Sequence, residues 1–69
     1  MSRKLLNVME NSSKGTIMKG YMYEENGNIV VDYEISGNIV KSETFNGHNK
    51  MFAEDAIRNW LNSIKVLNG

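Results

Sequence analysis

Residues 28–45 read NIVVDYEISGNIVKSETF, and their pattern decides the class of fold. Ile29, Val31, Tyr33 and Ile35 alternate with Val30, Asp32 and Glu34, the periodicity that puts one set on each face of a strand. Ile39 to Phe45 is a further strand candidate, and Gly37-Asn38 between the two runs predicts a tight hairpin turn. With Gly37 and Asn38 as the central turn residues, Ile35 faces Val40, Tyr33 faces Ser42 and Val31 faces Thr44. The face carrying Val31, Tyr33 and Ile35 is then the one that receives a helix, and small Ser42 and Thr44 leave room there for Trp60.

That helix follows directly. Ala53, Ala56, Ile57, Trp60, Leu61 and Ile64 recur at helical spacing, with Leu67 continuing the series, so one stripe is apolar. Glu54, Asp55, Arg58, Asn59 and Asn62 take the other side. Asn49 is a suitable N-cap, Glu54 and Asp55 complement the positive helix start, and Asn68-Gly69 suits a stop.

Toward the N-terminus, Thr16 to Glu24 is rich in Ile, Met and Tyr and reads as another strand, turned into the next by Asn26-Gly27. Within it Tyr21 and Tyr23 alternate with Met18 and Met22, so one set faces away from the helix. Gly20 marks a bulge or a close backbone approach. Ser12-Ser13-Lys14-Gly15 reads as a loop. Ser2 to Asn11 reads as a short helix, capped by Ser2, with Leu5, Leu6 and Met9 on one side. The expected fold is α+β, in the order α–β–β–β–α: a three-stranded antiparallel sheet with both helices packed on one face, in a single domain spanning residues 1–69.

Composition narrows the function classes. In 69 residues there is no cysteine and one histidine, so neither a disulfide nor a Cys/His zinc site can stabilise the domain, and no cofactor is expected. Small size then favours burial of surface in a partner or a second copy. Eight basic and eight acidic residues give zero formal charge, against a strongly electrostatic nucleic-acid binder but not against a local basic patch. No apolar run approaches a membrane span, and the basic-then-apolar opening Met1 to Leu6 is cut short by Asn7 and Glu10, too early for a signal peptide. A cytoplasmic protein is expected. Ten asparagines and no proline fit an AT-rich source, such as a phage or mobile element, among others.

On these residues the chain resembles the double-stranded-RNA-binding domain over nearly its whole length. Leu5-Leu6-Asn7 is similar to that family's first helix, and Tyr21 to Glu25 to its first strand with the closing acidic pair. Ile29 to Ser36, then Gly37-Asn38-Ile39-Val40, is similar to its second strand, turn and third strand. Gly47-His48-Asn49-Lys50-Met51-Phe52-Ala53 falls where the family has a Gly, a small polar residue, two lysines and an Ala. The resemblance implies shape-based contact with an A-form duplex through three patches. Here Val8 stands where a Glu usually follows the Leu-Asn. The loop between the first two strands is shortened to Asn26-Gly27-Asn28, and only Lys50 remains of three lysines at the last helix.

Two functions are therefore expected, neither enzymatic. The first is weak binding of structured RNA through the start of the last helix. Its residues are Lys50 with His48 and Asn49, where a helix N-terminus favours phosphate, supported by Lys4 and Lys14. Arg3, Lys4, Lys14 and Lys19 concentrate positive charge in the first third, whereas Glu24, Glu25, Asp32 and Glu34 make the middle acidic. The plain alternative is a solvated loop and cap. The second is a protein-binding or homodimerising module, such as a phage-encoded inhibitor of a host protein, using Met51, Phe52, Tyr21 and Tyr23. Their plain alternative is ordinary packing. No Ser, Cys or Asp is positioned by sequence to work with His48, and neighbouring Glu54 and Asp55 diverge on a helix.

Overall fold

A computed structural model of the chain describes residues 3–13, 15–47 and 50–68. Four strands precede one helix: β1 (Lys4–Ser13), β2 (Thr16–Glu25), β3 (Asn28–Ile35), β4 (Asn38–Phe45) and α1 (Lys50–Asn68). The strands form one antiparallel meander in the order β1-β2-β3-β4. The helix packs across β1, β2 and β3 on one face of it.

The expected N-terminal helix is a strand, and the sheet has four strands rather than three. Leu5-Leu6-Asn7, matched above to a first helix, lies in β1. A bulge between Leu5 and Asn7 gives this strand its helix-like pattern. Leu5 pairs with Tyr23 and belongs to the face away from the helix, whereas Leu6 and Met9 both pack against the core. The extra residue gives two core-facing side chains a helix-like spacing of three inside an extended chain. Ten residues are also few for a helix to form without packing, while β2 offers a ladder from Lys4↔Glu24 to Ser13↔Thr16, interrupted only at the bulge.

Asn26-Gly27 makes the predicted turn, with φ of 53° and 81°. The following turn is centred one residue earlier than expected. Ser36 and Gly37 carry the positive φ values, 50° and 88°, and Ile35 pairs with Asn38. A bulge between Tyr33 and Glu34 then sets the register, so Tyr33 pairs with Lys41, Val31 with Glu43 and Ile29 with Phe45. Ser42 and Thr44 pair with Asp32 and Val30 on the opposite face, and so do not make room for Trp60.

The face of Val31, Tyr33 and Ile35 does receive the helix. Met18 and Met22 from β2, Ile29, Val31 and Tyr33 from β3, and Ala53, Ile57 and Leu61 from α1 form the buried core. Gly20 lies beneath Ile57: a Cβ added there would collide with Ile57 Cγ2 and stand 3.1 Å from Cγ1. The missing side chain is what lets helix and sheet approach, so of the two readings of Gly20 the close approach holds. No acidic residue lies in the first helical turn; Asp55 instead pairs with Arg58 at 3.2 Å on the outer side. The expected caps Ser2 and Asn49 lie outside the described residues, as do the side chains of Ile64 and Leu67.

Candidate functional site

The sheet face away from the helix holds the largest group of side chains that the core does not use. Pleat and register place them in rows. Leu5, Tyr23, Val30 and Thr44 form one row; Val8, Tyr21, Asp32 and Ser42 form the next; Glu10, Lys19, Glu34 and Ile39 form a third. Leu5, Val8, Ile17 and Ile39 are exposed, and Val30 is buried among its neighbours. The rings of Tyr21 and Tyr23 stack with centroids 6.3 Å apart and planes 14° from parallel.

Arg3 straps this surface, a role no local pattern announced. Its guanidinium lies 5.1 Å from the Tyr23 ring centroid and pairs with Glu25 at 3.3 Å and Asp32 at 3.1 Å. Ser42 donates to the other Asp32 oxygen at 2.8 Å. Glu34 beside Tyr21 raises the Tyr21 phenol above the ordinary range, with partial burial adding to the effect. The acidic middle and basic first third of the sequence therefore meet pairwise: Arg3 on Glu25 and Asp32, and Lys19 opposite Glu34. Four carboxylates (Glu10, Glu25, Asp32, Glu34) outnumber two cations (Arg3, Lys19) on this face among the described residues.

The expected site residues do not come together as one surface. Tyr21 and Tyr23 lie on the bare face. Met51 and Phe52 lie in the first turn of α1, in the layer on the other side of the sheet, 72% and 64% exposed. Lys50 opens α1 and is exposed; Lys4 is exposed on β1 and pairs across the ladder with Glu24. His48, Asn49 and Lys14 lie outside the described residues.

On the helix-bearing face Tyr33 links both layers. Its ring centroid is 4.8 Å from that of Trp60, Lys41 Nζ lies 5.4 Å from its centroid, and its hydroxyl donates to Glu43 Oε1 at 2.9 Å. Burial, then the Glu43 carboxylate, hold its phenol well above the usual tyrosine range. Among the described residues no pocket opens, no group of three acidic, His or Cys side chains could hold a metal, and no helix is long and apolar enough to cross a membrane. No protein family matches the chain, and neither does any curated protein or solved structure.

Proposed function

We propose that this chain is a non-enzymatic interaction module that binds another protein through the bare face of its sheet. The observation that carries this reading is the composition of that face. Exposed Leu5 and Val8 flank the stacked Tyr21 and Tyr23, with exposed Ile17 and Ile39 farther along the same face, and aromatic groups of this kind anchor protein interfaces. Glu25 and Asp32 are already held in fixed positions by Arg3 and Ser42, so less order need be imposed on binding. An excess of carboxylates suits a partner with basic residues around an apolar centre and opposes a phosphate backbone.

Affinity capture from a lysate of the source cells tests this with three baits. Wild type and the helix-surface variant Asn59→Ala are expected to retain the same discrete protein, and Val8→Glu/Tyr21→Ala to lose it while melting as wild type does. A short RNA duplex titrated at low and moderate salt is expected to show no salt-sensitive binding. Salt-sensitive RNA affinity abolished by Lys50→Glu would overturn the proposal, as would a partner retained by the bare-face variant.

A further inference from the structure

We infer that the open edge of β4 joins a second copy of this chain. The strands run antiparallel with Ser42 on the two-fold axis, and two four-stranded sheets become one of eight strands. This goes beyond the proposed function, because it uses the sheet edge rather than the bare face and stands or falls independently of any other partner.

The helix packs mainly across β1, β2 and β3, and β4 meets the core chiefly through Phe45 at its end. Asn38 through Ser42 are exposed, with Ile39 and Val40 at 53% and 54%. An edge strand offers a row of backbone donors and acceptors to another strand. What selects a second copy is charge. In a continuous antiparallel sheet, residues directly opposite each other share a face, so the two-fold axis passes through one residue of β4. Centred on Ser42, Lys41 of each copy stands opposite Glu43 of the other, giving two opposite-charge pairs on the helix-bearing face. Centred on Lys41, the two lysines oppose each other; centred on Glu43, the two glutamates do. Glu43 already accepts from Tyr33 on Oε1, and a carboxylate retains a second oxygen for a lysine. The bulge at Val40 falls outside the three central pairs, 41–43, 42–42 and 43–41. Both helices then lie on one side, and the two bare faces lie side by side on the other.

Sedimentation equilibrium of the full chain, from micromolar to near-millimolar concentration, is expected to give twice the 7.8 kDa monomer mass. Lys41→Glu and Glu43→Lys should each weaken the dimer about tenfold, because each replaces two attractive pairs with two repulsive ones. The double exchange should restore it. The chain has no cysteine, so Ser42→Cys tests the axis without altering charge or relying on those variants to fold. Opposed residues have Cα atoms about 4.5–5.5 Å apart, inside the range a disulfide spans. Oxidation should link Ser42→Cys into a covalent dimer and leave Ser12→Cys on β1 unlinked. A monomer at every concentration would overturn the inference, as would a dimer in which folded charge variants match wild type, or failure of Ser42→Cys to cross-link.

Discussion

Tyr33→Ala should destabilise the fold by about 3–5 kcal/mol, the usual cost of truncating a buried aromatic. The whole stability of a domain this small is about the same size, so the variant is expected to be largely unfolded at room temperature. Tyr33 is 1% exposed and makes three different contacts with its one ring: Trp60 from the helix, Lys41 from β4, and Glu43 through the hydroxyl. Tyr33→Phe keeps the ring and loses only the hydrogen bond, for about 1 kcal/mol, since half-exposed Glu43 can turn to water. Urea denaturation of the three proteins measures both steps. The raised phenol gives the pH behaviour its sign. The neutral form is favoured by folding, so its contribution is complete below the unfolded tyrosine pKa of about 10 and is lost as pH rises beyond it. Tyr33→Phe should flatten that alkaline loss.

Gly20→Ala is the second large effect, at about 1–3 kcal/mol from overpacking. Gly20 has no positive φ, so backbone strain plays no part and the cost is steric. The colliding atoms branch directly from the Cβ of Ile57 and cannot swing clear as the end of a long chain could. Ile57→Ala removes them but leaves a cavity, costing about 2–5 kcal/mol alone. The double variant should therefore cost less than the sum of the two, because each change relieves the other. Strict additivity in thermal melts would mean that helix and strand do not meet at this point.

Where the sequence was legible, one physical signal acted without competition. The α1 stripe of Ala53, Ile57 and Leu61 and the alternation of Ile29, Val31 and Tyr33 each had a single period, and these residues form the core. β1 was illegible by period because its bulge sets Leu6 and Met9 three apart, as a helix would. Turn chemistry carried the missing signal. Gly15, Gly27 and Gly37 all have positive φ, each two residues after the end of one strand and just before the next. Asn26-Gly27 reads as such a turn, whereas Lys14-Gly15 reads as a loop and Gly37-Asn38, without Ser36, as the next turn. The same pattern at all three points to hairpins throughout and hence to a strand before Gly15.

The candidate site was legible in part for a related reason. Tyr21 and Tyr23 stood out as a set opposed to Met18 and Met22, but only the packed helix shows that the methionines face it. Arg3 could not be found locally, since its partners Glu25 and Asp32 are brought to it by two hairpins. Lys50, Met51 and Phe52 are sequence neighbours of the helix core, yet they belong to the layer opposite the tyrosines.

The bare face depends on β1, because Leu5 and Val8 flank the tyrosines only if residues 4–13 are extended and paired with β2. Nuclear Overhauser measurements on the labelled chain test this most directly. Cross-strand contacts from Val8 to Tyr21 and from Met9 to Gly20, with extended-chain shifts through Leu5 to Asn11, are the predicted result. Backbone contacts from the Cα–H of one residue to the N–H three residues on, as from Leu6 to Met9, with helical shifts over the same segment, would contradict the four-stranded sheet and remove the surface on which the proposed function rests.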